Sequence, residues 1–162
     1  MAMAHDCGHD DGPGQGLAGQ GLAAALADAE ARCVDARERL TAPRRRVLEL
    51  LLSADAPLKA YDMIAAFGGD GAPAKPPTVY RALDFLEKQG FAHRIESLNA
   101  YVPCRIRGDA HRAAFLICDC CGAAREFEPG LDAGLAAAAE AGYSVRSLTL
   151  EARGLCPACR AA

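Results

Sequence analysis

The chain has 162 residues, enough for one ordinary domain or two small ones, and its net charge of −3 excludes a uniformly basic nucleic-acid-binding protein. Hydrophobic residues make up 51% of it, but only 6% is aromatic and Trp is absent, which is typical of thin cores that a metal or a partner chain stabilises. No apolar run is long enough to span a bilayer and no signal peptide is recognisable, which predicts a cytoplasmic protein without membrane association.

Charge is distributed unevenly along the chain. Residues 1–40 carry 3 basic and 7 acidic side chains, residues 41–107 carry 10 and 7, and residues 108–162 carry 5 and 7. The middle segment is the basic part, so any contact with DNA is expected there. The chain also has 8 cysteines, which in a reducing compartment are more typical of metal ligands than of disulfides.

The first 20 residues are rich in Gly, Asp and His and have no hydrophobic periodicity, so they are predicted to form a flexible tail. His5, Cys7 and His9 could bind a metal there. Because nothing pre-organises these three side chains, an unstructured leader is the favoured interpretation.

Apolar periodicity predicts helices over residues 22–40, over a segment that begins just after a Thr41 N-cap, over residues 58–67 and over residues 76–89. Two short strands, AHRIES and AYVPC, follow with a turn at Leu98 and Asn99. Helices followed by such a hairpin are the order of a winged helix-turn-helix, whose recognition helix enters the major groove through its N-terminal residues.

The predicted recognition helix, PPTVYRALDFLEK, is amphipathic. Its apolar side is expected to carry Val79, Ala82, Leu83 and Leu86. Its polar side is expected to carry Arg81, Asp84, Phe85 and Lys88.

After about residue 108 the pattern becomes that of a small α+β domain. AAFLIC and AREFE are predicted strands joined by a tight Cys-Cys-Gly turn, residues 130–141 form an alanine-rich helix, and YSVRSLTLEA alternates as a strand. The fold class is therefore α+β, with a tail over 1–20, a winged-helix domain over 21–107 and a second domain over 108–162.

Two CxxC pairs stand in the second domain, at Cys118/Cys121 and Cys156/Cys159. Each pair places two thiolates on one side of a tight turn, and two pairs make a tetrahedral set of sulfurs that suits Zn²⁺. The 34 residues between them exceed the spacing of a simple zinc ribbon, but a helix and a strand can bring the ends together. A redox role is disfavoured because neither pair opens a helix after a strand.

Further metal-ligating residues lie near the domain boundary: His93, Cys104, His111 and Glu126. Two imidazoles, a thiolate and a carboxylate would make a mixed four-coordinate site. Spacing alone leaves this open, because a single His is more often a surface or hydrogen-bonded residue. Cys120 has no assigned ligand role and is predicted to be dispensable for zinc.

The stretch KPPTVYRALDFLEKQGFAHRIES, with YVPC, AHRAAFLICDCCGAAREFE and EARGLCPAC, closely resembles the ferric uptake regulator family and, within it, the zinc uptake regulator branch. The resemblance covers about residues 22–159. It implies a homodimeric, zinc-responsive winged-helix repressor of zinc-uptake genes. The N-terminal domain would bind palindromic operator DNA and the C-terminal domain would form the dimer.

The resemblance also implies two zinc ions per subunit. The structural zinc would be held by Cys118, Cys121, Cys156 and Cys159. The regulatory zinc would be held by His93, Cys104, His111 and Glu126. A sensor of iron, manganese or peroxide on the same scaffold is the alternative. It is disfavoured because the histidine-rich HHDH-type motif of those regulators is replaced here by GDAHRAAFLIC and because a thiolate ligand favours zinc.

Arg81 is the predicted base-reading residue, because it lies in the first turns of the recognition helix and Arg most often reads guanine. The Tyr-Arg pair implied by the resemblance is Tyr80 and Arg81. Further candidates for DNA contacts are Thr78, Lys75, Lys88, Arg44, Arg45, Arg46 and Arg94. Neither a membrane nor a small-molecule substrate is expected as a partner. An enzyme is disfavoured because catalytic zinc keeps an open coordination position, whereas both sets here have four protein ligands.

Overall fold

The computed structural model describes residues 16–68, 73–104, 113–127, 130, 132–145 and 148–161. Within these residues the helices and strands follow one another as α1 (Gly19–Asp35), α2 (Ala42–Ser53), α3 (Ala60–Ala66), α4 (Pro76–Lys88), β1 (Ala92–Ile95), β2 (Ala100–Pro103), β3 (Ala113–Cys118), β4 (Ala124–Phe127), α5 (Asp132–Glu140), β5 (Thr149–Gly154) and α6 (Pro157–Ala161). A 3-10 helix, Glu96–Leu98, connects β1 to β2. Among the described residues, no helix is long and apolar enough to cross a membrane.

The larger hydrophobic core is formed by the apolar faces of the first four helices and the start of the hairpin. Its fully buried members include Val47, Leu51, Met63, Val79, Leu83 and Leu86. Burying a side chain of this kind contributes about 1.5–3 kcal/mol, so the helices are held mainly by packing. Cys33 lies in this core as a small apolar residue, whereas Val34, next to it in α1, is 67% exposed.

The recognition helix α4 begins at Pro76 and is followed by Gly90, whose φ of +69° suits a residue without Cβ. Its four predicted apolar residues are buried. The prediction for Phe85 was wrong, since this ring is only 7% exposed. The guanidinium of Arg44 on α2 lies 3.4 Å from the ring centroid and covers it, a tertiary contact that helical periodicity does not contain.

The hairpin, or wing, pairs β1 with β2 in antiparallel register, with His93 opposite Val102 and Ile95 opposite Ala100. Leu58 forms a β-bridge with Tyr101, so the segment predicted as the start of the third helix is extended instead. That helix begins two residues later, at Ala60.

The second sheet has the strand order β4-β3-β5, with β3 antiparallel to β4 and parallel to β5. The last strand begins at Thr149, six residues later than the alternation of YSVRSLTLEA predicted, and its first pair is Thr149 with Ala113 of β3. Tyr143 and Val145 are exposed. The short helix α6 was not predicted, and because it begins just after Cys156, the expectation that neither CxxC pair opens a helix after a strand was wrong for the second pair.

A second hydrophobic cluster joins the wing to this sheet. Its buried members are Ile95 from the wing and Phe115 and Ile117 from β3. Partly buried residues from both sides pack around them: Leu98, Val102 and Ala124. The wing therefore lies against the β4-β3-β5 sheet through apolar contact, and the residues at this junction are brought close together.

Candidate metal centres and nucleic-acid interface

The cysteines of the two CxxC pairs converge at one end of the second sheet. The Sγ atoms of Cys118, Cys121, Cys156 and Cys159 all lie within 4.8 Å of one another. Because β5 runs parallel to β3, with Cys118 opposite Gly154, both strands deliver their following turns to the same sheet end. The pairing of these two strands thus bridges the 34 residues between the CxxC pairs.

Backbone amides stabilise negative charge in this cluster. The Cys156 N–H donates to Cys118 Sγ at 3.3 Å, and the Cys159 N–H donates to Cys156 Sγ at 3.4 Å. Hydrogen bonds from the backbone of Cys121 and Cys156 lower the pKa of the Cys118 thiol to about 6, so it is a thiolate at neutral pH. A compact set of four sulfurs, one of them already ionised, fits a tetrahedral zinc ion.

Cys120 is exposed and lies outside this cluster. The turn beside it is braced by Asp119, whose Oδ1 accepts hydrogen bonds from Nη2 and Nε of Arg153 at 2.6 and 2.9 Å. The Asp119 N–H also donates to the Gly154 carbonyl at 2.7 Å. These contacts hold the turn that carries two of the thiols against the end of β5.

The mixed cluster lies at the junction of the wing and the second sheet. Ligand atoms of His93, Cys104 and Glu126 lie within 4.8 Å of one another. His93 Nε2 is 3.2 Å from Glu126 Oε1, and the two side chains are only 14% and 5% exposed. His111, the fourth predicted ligand, lies outside the described residues. Zinc accepts nitrogen, sulfur and carboxylate oxygen as ligands. Because zinc is usually four-coordinate, these three donors leave one coordination position for a further ligand.

Electrostatics at this cluster favour a protonated imidazole while no metal is bound. Burial lowers the pKa of His93, but hydrogen bonds to Cys104 and Glu126 outweigh it and raise the pKa to about 9. Without a metal, the positive charge of the protonated imidazole lies beside the Cys104 sulfur and the Glu126 carboxylate, where a bound cation would lie. Binding of a metal ion must displace that proton, so the two compete.

Three elements position the mixed cluster. His93 is on β1, Glu126 is on β4, and the N–H of Cys104, just after β2, donates to the Phe91 carbonyl at 2.9 Å. Phe115 pairs directly with Glu126 and its ring centroid lies 5.8 Å from that of His93. This position of Phe115 was not predicted from the sequence, although counting back from the Cys-Cys-Gly turn places Phe115 opposite Glu126.

The exposed face of α4 carries several of the predicted DNA contacts. Tyr80 is 49% exposed, Lys75, Arg81 and Lys88 are exposed, and Thr78 is half-buried. Lys75 is the N-cap of α4, Thr78, Tyr80 and Arg81 lie in its first two turns, and Lys88 is in its last turn. The arrangement leaves Tyr80 and Arg81 accessible in the first two turns.

The predicted arginine contacts have partners within the chain. The guanidinium of Arg44 covers the Phe85 ring, and its Nη1 donates a hydrogen bond to the Arg39 carbonyl at 2.6 Å. Arg45 pairs with Glu30 at 3.4 Å.

Arg46 and Arg94 also have partners within the chain. Arg46 donates to the carbonyls of Ala66 and Phe67 at the end of α3 and pairs with Glu49. Arg94 pairs with Glu96 at 3.3 Å. Together, these contacts give the four arginines structural roles that the sequence analysis did not anticipate.

A winged helix packed on a small sheet, with one cluster of four thiols and one mixed cluster at the junction, defines a winged-helix protein with two candidate metal centres. The chain belongs to the ferric uptake regulator family, whose model matches residues 35–153. It is 44% identical over 137 residues to the zinc uptake regulation protein of Escherichia coli (strain K12), covering 83% of this chain and 80% of that protein.

Solved structures agree with this assignment. A structure described as a zinc uptake regulator complexed with zinc and DNA is 41% identical, has a TM-score of 0.82, and is matched over 88% of this chain and 97% of that one. The crystal structure of holo XcZur is 43% identical with a TM-score of 0.76, over 85% of this chain and 97% of that one. The α+β fold class predicted from the sequence is confirmed by these likenesses.

Proposed function

We propose that this protein is a zinc-responsive transcriptional repressor that binds operator DNA as a homodimer and represses zinc-uptake genes in the cytoplasm. The observation that carries the proposal is the mixed cluster, because His93 and Cys104 come from the wing whereas Glu126 comes from the second sheet. Metal binding at that position therefore depends on how the wing and the second sheet are arranged relative to one another. The names of the relatives, zinc uptake regulators, support zinc as the metal.

The domain organisation proposed here is a DNA-binding domain over 21–107 and a dimerisation domain over 108–162. Of the tail predicted over 1–20, residues 1–15 lie outside the described residues, and Gly19 and Gln20 already belong to α1. The face of the second sheet opposite the wing supports a dimer. Leu116 and Leu150 lie on that face, and both are exposed. Exposed apolar residues on a small sheet are typical of an interface with another chain.

In this proposal Cys118, Cys121, Cys156 and Cys159 hold a structural zinc. His93, Cys104, Glu126 and His111 hold a regulatory zinc. A zinc ion held by these residues would connect ligands of the wing with a ligand of the second sheet. Binding of a metal there would require His93 to release its proton, while the pairing of β4 with β3 holds Glu126 opposite Phe115.

The consequence for DNA follows from the same ligands. Holding the wing on the sheet fixes the angle of α4, so the two recognition helices of a dimer face successive major grooves of a palindromic operator. A coupling of roughly 1–3 kcal/mol would change DNA affinity about 5–150-fold, and operator DNA would tighten metal binding by the same factor. Arg81 is proposed to read a base edge, with Tyr80 beside it and Thr78, Lys75, Lys88, Arg44 and Arg45 contacting the backbone.

Operator binding titrated against buffered free zinc, in wild type and in Cys104→Ser, tests the proposal. We expect the wild type to bind tightly only when zinc is available, and Cys104→Ser to lose the response while remaining a dimer with its structural zinc. A normal zinc response in Cys104→Ser would exclude this regulatory site. Tighter operator binding with Fe²⁺ or Mn²⁺ than with zinc would favour the alternative sensor.

A further inference from the structure

The wing contacts the second sheet at a point outside both cysteine-containing clusters. Glu151 lies on β5, and its carboxylate accepts hydrogen bonds from two consecutive backbone amides of the wing. Oε1 accepts from the N–H of Glu96 at 2.7 Å, and Oε2 accepts from the N–H of Ser97 at 3.2 Å. These amides open the 3-10 helix, where N–H groups have no partner within the helix.

Glu151 belongs to a single cross-strand row of the sheet. Phe115, on the central strand β3, pairs with Glu126 on β4 and with Glu151 on β5. Directly paired residues on neighbouring strands point to the same face of a sheet. The row Glu126–Phe115–Glu151 therefore points toward the wing.

Each member of this row contacts a different part of the wing. Glu126 lies against His93, and Phe115 packs with Ile95 in a cluster where both are fully buried. Glu151 accepts from the amides that follow Ile95. Because alternate residues of β1 point to one face, His93 and Ile95 are presented together to the row.

We propose that Glu151 is a positioning residue that holds the wing on the sheet and thereby places His93 and Cys104 beside Glu126 before a metal binds. The inference rests on the proposed function in that the mixed cluster is the regulatory site. Of the three contacts in the row, Glu126 is the one whose partner changes when metal binds. Glu151 makes contacts that involve no metal ligand, whereas Phe115 packs on Ile95 and also lies beside the ring of His93.

The chemistry of the contact suits this role. Burial opposes ionisation of Glu151, but hydrogen bonds from Ser97 and Glu96 and the charge of Arg153 lower its pKa overall, so it is a carboxylate at neutral pH. Hydrogen bonds from amides to a carboxylate are stronger than those between neutral groups. Holding the wing in place in advance reduces the ordering that metal binding must otherwise impose, which raises the affinity of the regulatory site.

Glu151→Ala and Glu151→Gln test the proposal, with Glu140→Gln as a control of equal charge change on an exposed helical residue of the same region. Full-length protein that retains one zinc per subunit after chelation is used. Amide hydrogen exchange is followed at Glu96 and Ser97, and Co²⁺ affinity at the mixed site is followed by visible absorption. Zinc content and dimer mass report on the structural site and the dimer interface.

We expect faster exchange at both amides in Glu151→Ala, and a Co²⁺ affinity lower by about 3-fold to 10-fold, the range for losing a partly exposed charge-assisted contact. Glu151→Gln keeps one carbonyl acceptor and should show a smaller effect on both. Structural zinc and dimer mass should match wild type in all three variants. A role limited to folding would lower structural zinc or dimer content instead.

Unchanged amide exchange and unchanged Co²⁺ affinity in Glu151→Ala would overturn the proposal, as would equal effects in Glu140→Gln. If Glu151→Ala does not fold, Glu151→Gln decides by the same two readouts. Failure of the proposed function gives a different result, because wild type would then bind operator without regard to metal. The exchange of the Glu96 and Ser97 amides would still respond to Glu151 in that case.

Discussion

His93 and Glu126 stand on different sheets, yet His93 Nε2 lies 3.2 Å from Glu126 Oε1. The wing supplies the imidazole and the second sheet supplies the carboxylate. The contact therefore depends on the wing lying against the second sheet.

Glu126→Gln should abolish metal-dependent operator binding. The substitution keeps the shape of the side chain but removes the charge that balances a cation, and the loss of a ligand should weaken zinc binding by more than the roughly 10–100-fold typical of outer-shell changes. Operator binding at fixed free zinc, with metal content measured in parallel, checks this. Glu140→Gln is the matched control, and a wild-type zinc response in Glu126→Gln would remove Glu126 from the site.

Cys159→Ser should release the structural zinc and destabilise the second sheet, because metal binding free energy at such sites, about 10–16 kcal/mol in zinc-finger peptides, is also folding free energy. Cys120→Ser is the control, since Cys120 is exposed and outside the cluster. Zinc per subunit and thermal denaturation distinguish the two. Equal zinc loss in Cys120→Ser would show that the cluster is wrongly assigned.

Arg81→Ala should relax the sequence preference for one operator position, at a cost of about 1–3 kcal/mol for the preferred base. Lys88→Ala should instead weaken binding to all sequences and reduce the salt dependence by about one unit. Both side chains are exposed on α4, so neither change should disturb folding. Competition binding with base-substituted operators at several salt concentrations separates the roles, and an unaltered base preference in Arg81→Ala would exclude it as the reader.

Arg44→Ala should lower the free energy of unfolding by about 1–2 kcal/mol, because it uncovers the Phe85 ring and removes a hydrogen bond to the Arg39 carbonyl. Arg45→Ala is the comparison, since its pairing with Glu30 is exposed and long and should contribute about 0–1 kcal/mol. Denaturant unfolding of both variants measures the difference. Equal stability of the two would mean that the Arg44 contact with Phe85 contributes little.

Local patterns in the sequence predicted the helical core, the wing and the hairpin that carries Cys118 and Cys121. These features depend on periodicity, capping residues and turn residues that are close together in the chain. The relatedness to the ferric uptake regulator family, predicted from the same stretches, is confirmed. The chosen ligands fall into two clusters as far as they are described, while their binding of metal stays a prediction.

Tertiary contacts account for what the sequence did not reveal. Phe85, expected on the polar face of α4, is part of the main hydrophobic core, and Arg44 from another helix covers its ring. The strand predicted over 143–152 is observed over Thr149–Gly154, where it pairs with β3 from a distant part of the chain. Glu151 contacts amides 54 and 55 residues away, and an isolated Glu on an exposed strand carries no sequence signal for such a contact.

The parallel pairing of β3 with β5 makes assembly of the second sheet a late event. β3 and β4 are close in the chain and can form a hairpin early, whereas β5 joins only after a long crossover whose closure costs entropy. Two of the four clustered thiols follow β5. All four sulfurs could therefore bind one ion only after β5 has paired with β3. Until then the thiols would be accessible to oxidants, so in newly made chains oxidation would compete with the proposed zinc binding.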